Sequence, residues 1–212
     1  MAKKLNTLVN KYRIFLFDFD GVVIDSETVR IDAFKQALKE FNKQLIDDFI
    51  LYHKENGGLS RYVKFERFKN ITNSSETELS IWLKRYNHFC KTKMVNDQLL
   101  ISETIGVIKK LKQKGLVTYL VSASDQSELQ YLAEALNLRK YFKEIVGSPT
   151  EKSENIANIL IKEKLNGYSK EDFIMIGDSI NDYDAAKKNS IDFFGFGNEL
   201  IKTKTSLTNA VP

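Results

Sequence analysis

The sequence predicts an α/β fold with a doubly wound, Rossmann-like parallel sheet as its core and a helical cap domain inserted after the first strand. From about residue 95 onward, short apolar runs alternate with amphipathic helical patterns, which is typical of a parallel sheet covered on both faces. The stretch from about 28 to 94 has helical periodicity and no run typical of a buried strand. A chain of 212 residues is long enough for one large domain and a smaller addition.

The first predicted strand is the apolar run 12–18, which ends in acidic residues followed by Gly21. Apolar residues then recur every three or four positions, as at Ile31, Phe34 and Leu38, which places them on one face of a helix. Glycine pairs and polar runs further along this stretch indicate breaks between successive helices.

The second part of the chain alternates between strands and helices. Strands are predicted at 116–121, 144–147, 173–176 and 191–194, and a helix is predicted at 183–188. The polar tail after Gly197 is expected to be partly loose. We therefore predict a core domain and a cap domain, with boundaries at 1–24 and 95–212 for the core and 25–94 for the cap.

Composition and charge exclude several classes of protein. Hydrophobic residues make up 42% of the chain and charged residues 28%, the balance of an ordinary globular protein. The net charge of +4, from 32 basic and 28 acidic residues, is small and its lysines are scattered, so we expect no nucleic-acid or membrane partner. Cys90 is the single cysteine and no apolar segment is long enough for a leader or a membrane span, so a cytoplasmic location is expected.

Chemically active side chains follow four of the predicted strands. Because the carboxyl ends of parallel strands meet at one edge of the sheet, residues far apart in sequence are expected to lie close together there. In chain order these residues are Asp18 and Asp20, Ser122, Lys152, and Asp178 and Asp182.

The residue types suit one another. Four carboxylates in a small space repel one another unless a cation lies among them, and oxygen ligands without histidine or cysteine favour Mg²⁺. A lysine and a hydroxyl beside such an ion could hold a phosphoryl group. One carboxylate can attack phosphorus while a second transfers the proton.

Each residue also has a simpler explanation when it is taken alone. An aspartate at a strand end is commonly a helix N-cap or a turn residue. Ser122 could be a cap as well, and Lys152 could be a surface lysine. The combination is what favours a site, because every member falls near the carboxyl end of a predicted strand.

The order of these motifs resembles that of the haloacid dehalogenase-like hydrolase superfamily over nearly the whole chain. The chain is similar in particular to the branch with a helical cap between the first two motifs, which includes phosphoglycolate phosphatase-like enzymes and β-phosphoglucomutases. The matching segments are Asp18-Phe-Asp20-Gly-Val, Leu-Val-Ser122-Ala-Ser, Lys152 and Gly-Asp178-Ser-Ile-Asn-Asp182.

The resemblance implies a role for each matching residue. Asp18 would be the nucleophile, and Asp20 would be the general acid and base. Mg²⁺ would be held by the Asp18 carboxylate, the Asp20 backbone carbonyl and Asp178. Asp182 would be either a further ligand or a residue that contacts the ligands. The two residues that would hold the phosphoryl oxygens are Ser122 and Lys152.

The chain departs from the family pattern at two positions. Ala123 stands where an asparagine often follows the hydroxyl residue, and Ser153 stands where a proline often follows the lysine. The Ser-Ala-Ser string is similar to that of the phosphomutase branch. The fourth motif, with Gly177 before Asp178, is instead typical of the phosphatases.

Arg61 is a candidate for substrate specificity. It follows the Gly57-Gly58 pair, where caps of the family often have a loop that contacts the substrate, and a guanidinium can grip a carboxylate or a second phosphate. The alternative is a surface arginine after a turn. His53 and His88 lack a third ligand, so we expect core or surface roles for them rather than metal binding.

We predict a Mg²⁺-dependent phosphatase that acts on a small phosphorylated metabolite, such as a sugar phosphate, through an aspartyl-phosphate. The alternative is a phosphomutase of the β-phosphoglucomutase type with the same chemistry. A haloacid dehalogenase, a receiver-like signalling protein and a non-catalytic binding protein fit the motifs less well. We expect a monomer or a weak dimer.

Overall fold

Five parallel strands form one sheet at the centre of the chain, which a computed structural model describes for residues 7–197. The strand order is β3-β2-β1-β4-β5. The prediction about the tail after Gly197 lies outside the described residues. The strands are β1 (Ile14–Phe17), β2 (Val117–Asp125), β3 (Glu144–Ser148), β4 (Phe173–Gly177) and β5 (Asp192–Gly195).

Of the α-helices whose bounds lie within residues 7–197, five stand between the first and second strands, the first four of them in the insertion, and three alternate with the later strands. This arrangement confirms the predicted fold class, a doubly wound sheet with a helical insertion after its first strand. The cap boundaries at 25 and 94 stay a prediction. The helices are α1 (Glu27–Ala37), α2 (Lys43–Glu55), α3 (Arg61–Thr72), α4 (Glu76–Lys93), α5 (Ser102–Gln113), α6 (Gln126–Ala135), α7 (Lys152–Lys164) and α8 (Ile180–Lys188).

Both faces of the sheet are buried. Successive side chains of a strand point to opposite faces, and along β1 the residues Ile14 and Leu16 belong to one apolar cluster while Phe15 and Phe17 belong to the other. Helices α7 and α8 pack on the first face, and α5 and α6 pack on the second. Because no face of β1 meets water, its sequence is a continuous apolar run rather than an alternating one.

An aromatic cluster holds the four cap helices together. The Phe34 ring packs against Phe49, Phe65 and Tyr86 at centroid distances of 5.0, 5.2 and 4.5 Å. Trp82 of α4 is fully buried at 0% exposure in the same cluster. Aromatic pairs of this kind add about 0.5–1.5 kcal/mol each beyond the burial of their area, so these contacts stabilise the packing of the four helices, within a cluster that continues into the core.

Two element boundaries differ from the prediction in ways that concern the site. Strand β2 continues to Asp125 rather than ending at 121, so Ser122 lies inside the strand rather than after it. Helix α8 begins at Ile180 rather than Tyr183, because Ser179 and Asp182 form a capping box that starts the helix earlier. Within residues 7–197, none of the helices has the length and apolar character needed to cross a bilayer.

Candidate active site

Strand β1 lies where the strand order reverses. The chain passes from β1 to β2 and β3 on one side and returns to β4 and β5 on the other. Ligands of open parallel sheets bind at the carboxyl ends of the strands at such a point. A cavity of about 1020 Å³ opens there, and its lining includes Asp18, Asp20, Ser122 and Asp178 of the core together with residues of the cap.

Asp18 directly follows β1 and is held in a fixed orientation. Its backbone N–H donates to the Ile176 carbonyl at 2.9 Å, which ties it to β4. Its Oδ1 accepts from the Phe19 N–H at 2.7 Å and lies 2.9 Å from Lys152 Nζ. No hydrogen bond from residues 7–197 reaches Oδ2, so this oxygen is not engaged by the part of the chain that the structure describes. Burial, and then the charge of Asp182, raises the pKa of the Asp18 carboxyl well above its usual range.

Lys152 begins α7 and contacts two carboxylates, Asp18 and Asp182. It is only 8% exposed. Burial alone would lower the pKa of this lysine, but the charges of Asp18 and Asp182 outweigh it and raise that pKa. Lys152 therefore remains a cation at the base of the site.

Asp182 is fully buried in the first turn of α8. Its Oδ2 accepts from the Ser179 backbone N–H at 3.0 Å and from the Ser179 hydroxyl at 2.7 Å, while Oδ1 pairs with Lys152. Both oxygens therefore already have protein donors. Gly177 permits this packing, because a Cβ there would overlap the Asp182 side chain.

Three carboxylates gather tightly enough to hold a cation. Oxygen atoms of Asp18, Asp178 and Asp182 lie within 4.8 Å of one another. Burial, and then the charge of Asp182, raises the pKa of Asp178 to about 7. Gly21 has φ +75°, and a Cβ there would overlap the Asp178 carboxylate. A compact set of oxygen donors that repel one another suits a small, hard divalent cation.

Asp20 lies outside this three-carboxylate group and is held by other residues. Its Oδ1 accepts from the Ser26 hydroxyl at 2.5 Å and from Arg30 Nε at 3.1 Å. Its Oδ2 accepts from the Ser124 hydroxyl at 2.6 Å and from Arg30 Nη2 at 3.2 Å. Burial would raise the pKa of Asp20, but the Arg30 charge outweighs it and lowers that pKa to about 2. In this arrangement Asp20 is an ionised carboxylate.

The two hydroxyls of the Ser-Ala-Ser string serve different parts of the site. Ser122 is 1% exposed, lines the cavity and accepts a hydrogen bond from the Ser124 backbone N–H at 3.1 Å. Ser124 donates its own hydroxyl to Asp20. The intervening Ala123 also lines the cavity.

Arg61 is buried, so the surface alternative for it is wrong. It is 6% exposed, and its Nη1 donates to Glu128 at 2.7 Å and to Asn87 at 2.5 Å. Its guanidinium lies 5.0 Å from the centre of the Tyr86 ring. Nη2 is buried and has no hydrogen-bond acceptor among the described residues, although Arg61 lines the cavity.

The cap contacts the core through a buried charge network and through the glycine loop at Gly57. Glu128 on α6 accepts from Arg30 Nη1 at 2.6 Å as well as from Arg61, and so joins two cap helices to the core. Asn181 Nδ2 of α8 donates to the Gly57 carbonyl at 2.6 Å. The glycine loop of the cap therefore rests on the fourth motif.

Sequence reasoning missed Arg30, Ser26 and Glu128. Arg30 and Glu128 lie on helices, where a charged residue usually faces water, and nothing in their spacing distinguishes them from exposed neighbours. Ser124 had a signal in the Ser-Ala-Ser string, but its contact with Asp20 depends on a cap residue that arranges both.

Comparison with known proteins agrees with the motifs. Residues 15–196 match the model of the haloacid dehalogenase-like hydrolase family. A phosphoglycolate phosphatase of Colwellia psychrerythraea is 25% identical over 194 residues, which cover 86% of this chain and 83% of the relative.

Solved structures share the fold. A β-phosphoglucomutase of Clostridium difficile has a TM-score of 0.67 at 19% identity and covers 88% of this chain and 85% of its own. A HAD-hydrolase of Bacillus subtilis bound to magnesium has a TM-score of 0.64 at 18% identity, with coverages of 86% and 87%. The resemblance drawn from the motifs is thus confirmed: the chain belongs to the haloacid dehalogenase-like hydrolase family, as a hydrolase of the phosphatase type.

Proposed function

We propose that this enzyme hydrolyses a small phosphorylated metabolite, for which a sugar phosphate is one candidate, through an aspartyl-phosphate formed on Asp18. The observation that carries the proposal is the asymmetry of the Asp18 carboxylate. Oδ1 is fixed by the Phe19 N–H and Lys152, whereas Oδ2 accepts no hydrogen bond from residues 7–197. A positioned carboxylate with one unengaged oxygen at the edge of a cavity is suited to nucleophilic attack.

In the first half-reaction, Asp18 Oδ2 attacks phosphorus and the bond from phosphorus to the ester oxygen breaks. The leaving oxygen takes a proton from Asp20, so this half-reaction requires the Asp20 carboxyl to be protonated. In the second half-reaction, water attacks phosphorus, Asp20 accepts a water proton, and the bond to Asp18 breaks to release phosphate. The ionised Asp20 seen with Arg30 suits the base of this second half.

Ser122 and Lys152 are proposed to bind the phosphoryl oxygens. Their positions support this, because the Ser122 hydroxyl lines the cavity and Lys152 already contacts the nucleophile. A lysine beside Asp18 also reduces the repulsion between the carboxylate and the incoming phosphoryl group.

The donor set of Asp18, Asp178 and the Asp20 backbone carbonyl is proposed to hold Mg²⁺. The clustering of carboxylate oxygens and the raised pKa values of Asp18 and Asp178 support this assignment. Because both oxygens of Asp182 have protein donors, we assign it to orienting Lys152 and α8 rather than to the ion. Bound Mg²⁺ would supply charge neutralisation for the phosphoryl oxygens.

Residues 25–94 are proposed to act as a cap that encloses the substrate, with Arg61 in contact with the part of the substrate beyond the phosphoryl group. The buried Nη2 of Arg61, which lacks an acceptor among the described residues, supports that contact. Water exclusion by such a cap strengthens the electrostatic interactions within the site.

The test is a screen of phosphorylated metabolites with Mg²⁺ present, in which phosphate release is measured. We expect release from at least one compound, its loss in Asp18→Asn, and its retention in Asp184→Asn, which changes an exposed aspartate of α8. An isomeric phosphorylated product without phosphate release would favour the mutase. Full Mg²⁺-dependent release by Asp18→Asn would overturn the mechanism.

A further inference from the structure

The glycine loop of the cap, residues 56–60, lies directly on the motif that carries Asp178. The Asn181 side-chain amide donates from Nδ2 to the Gly57 carbonyl at 2.6 Å. Gly58 has φ +84°, and a Cβ there would lie 2.7 Å from Ser179 Oγ and 3.0 Å from Asn181 Cβ. Both the conformation and the close approach therefore require a glycine at position 58.

We infer that Asn181 and Gly58 are positioning residues that dock the glycine loop on the fourth motif, and that this docking and the binding of a cation at Asp178 strengthen each other. The inference rests on the proposed function, because it takes Asp178 as a ligand of Mg²⁺. It adds a route by which the cap acts on the metal site without contacting the ion. Such a coupling is reciprocal, so docking and cation binding change each other by the same factor.

Ser179, the residue that Gly58 approaches, is fixed by the capping box at the start of α8. Its hydroxyl donates to Asp182 Oδ2 at 2.7 Å and accepts from the Asp182 backbone N–H at 3.3 Å. Ser179 also directly follows Asp178 in the chain. A displacement of Ser179 would therefore move Asp178 and disturb the cap of α8, and the docked loop limits that displacement.

The contacts of Ser179 continue to the proposed nucleophile. Asp182 Oδ1 pairs with Lys152, and Lys152 Nζ lies 2.9 Å from Asp18 Oδ1. Asp182, Lys152 and Asp18 are all buried. Because buried charged groups in contact cannot reorient independently, the position of Ser179 affects all three carboxylates of the proposed cation site.

The cap is held to the core by different kinds of contact on the two sides of the cavity. On the α6 side, Glu128 forms buried ion pairs with Arg30 and Arg61. On the α8 side, the contact described here is a neutral hydrogen bond and the packing of a glycine. A neutral hydrogen bond is weaker than a charged one. The α8 side is therefore the side at which cation binding can change how firmly the cap is held.

The test measures the dissociation constant of Mg²⁺ by titration calorimetry. Asn181→Ala removes the donor to the loop, and Gly58→Ala forces a Cβ against Ser179. We expect each change to raise the dissociation constant about 3- to 10-fold, the size expected when one neutral hydrogen bond is lost, although neither residue is a proposed ligand. The double variant should bind little more weakly than the weaker single variant, because both changes break the same contact.

Two glycines provide matched controls. Gly57→Ala keeps the carbonyl that accepts from Asn181, and its Cβ would come no closer than 4.0 Å, to Ser179 Cβ. Gly167→Ala introduces the same backbone strain as Gly58→Ala, because Gly167 has φ +86°, but no atom lies within 4 Å of the added Cβ. Both variants should bind Mg²⁺ as the wild type does.

The reverse direction of the coupling is measured by hydrogen exchange of the backbone amides of residues 56–60, which reports local opening of the loop. Saturating Mg²⁺ should slow this exchange in the wild type by a factor similar to the change in the dissociation constant. The slowing should disappear in Asn181→Ala and in Asp178→Asn. Neither measurement depends on turnover.

The outcomes separate this inference from the proposed function. If the wild type bound Mg²⁺ no more tightly than Asp178→Asn does, both the proposed cation site and the coupling would be overturned. If binding required Asp178 but was unchanged in Gly58→Ala and Asn181→Ala, the coupling alone would be overturned. A loss of affinity that Gly167→Ala shares would also overturn it, because backbone strain would then account for the effect.

Discussion

The two walls of the active-site cavity differ in their buried charges and in how the fold brings their residues together. The core edge carries Asp18, Asp178 and Asp182 around a single cation, Lys152. The cap wall carries three buried cations, Arg30, Arg61 and Lys64, beside exposed residues of both signs. The core wall is therefore suited to a metal ion and a phosphoryl group, whereas the two buried arginines of the cap wall pair with Asp20 and Glu128.

This difference also explains why the sequence predicts the residues of the core wall better than those of the cap wall. Residues at the core edge follow strand ends, and the topology of a parallel sheet brings strand ends together whatever the helices do. Residues of the cap wall lie on helix faces, and their meeting depends on how α1, α3 and α4 pack around the aromatic cluster. The predictions that follow test each wall in turn.

Phosphatase activity should be lost when Asp18, the proposed nucleophile, is replaced. We expect Asp18→Asn to lower kcat by at least about 10⁴-fold, a loss of the size found for essential nucleophiles, because the amide cannot form the acyl phosphate. The protein should remain folded, since the amide oxygen can still accept the Phe19 N–H. Steady-state phosphate release and a thermal melt check both parts.

Replacement of Asp20 should slow both half-reactions without preventing attack. We expect Asp20→Asn to lower kcat by about 10²- to 10⁴-fold, the usual contribution of a general acid or base. With an activated leaving group, which needs no proton, a burst of product should precede a slow steady state. Rapid mixing with a nitrophenyl phosphate measures it, and a proportional loss of burst and steady-state rates would contradict the role.

The contact between cap and core should be sensitive to the loss of Glu128, the carboxylate that Arg30 and Arg61 share. Glu128→Ala leaves Arg30 without one ion-pair partner and Arg61 without its carboxylate, both in buried positions. Breaking a buried pair by removing one member costs about 3–5 kcal/mol. Urea unfolding should show a fall of this size in the free energy of unfolding, and Glu134→Ala, at an exposed position of the same helix, should change it little. If Glu128→Ala lowered the free energy of unfolding as little as Glu134→Ala does, the network would not join cap and core.

The sequence predicted more of the core than of the cap because of what each residue depends on. The positions of Asp18 and Asp178 directly after strands were predicted correctly, because these strands are short apolar runs followed by acids. Ser122 was placed after a strand that in fact continues past it. The neighbourhood of Asp20 could not be predicted, because Arg30 reaches it only from the first cap helix.

For Arg61 the sequence suggested two interpretations, and burial excluded the surface one. Its local sequence contains a turn and an arginine but no sign of Glu128, which is 67 positions away. Lys64 was not singled out, because nothing in the sequence distinguishes a lysine that packing buries from the exposed lysines around it. Long-range contacts between helices are the part of the site that periodicity does not encode.

The smallest expected effect concerns how pH changes the stability of the protein in the absence and in the presence of Mg²⁺. The pKa of Asp178 is raised to about 7, against about 3.9 in an unfolded chain. Between these two pH values the folded protein binds the proton more tightly, so the stability of the metal-free protein falls as pH rises from about 4 to about 7. Mg²⁺ competes with that proton, so the gain in stability on adding Mg²⁺ should grow from pH 5 to pH 8.

At 100 times its dissociation constant, a ligand that binds only the folded state stabilises it by about 2.7 kcal/mol. We therefore expect a gain of about that size at pH 8 when Mg²⁺ is present in such excess, and a clearly smaller gain at pH 5 at the same concentration. Asp178→Asn should remove most of the gain at both pH values, whereas Asp184→Asn should keep it. Melting curves with Mg²⁺ and with a chelator measure these differences. A gain that does not change with pH would mean that Mg²⁺ binds away from Asp178, and the core wall would then lose the feature that most distinguishes it from the cap.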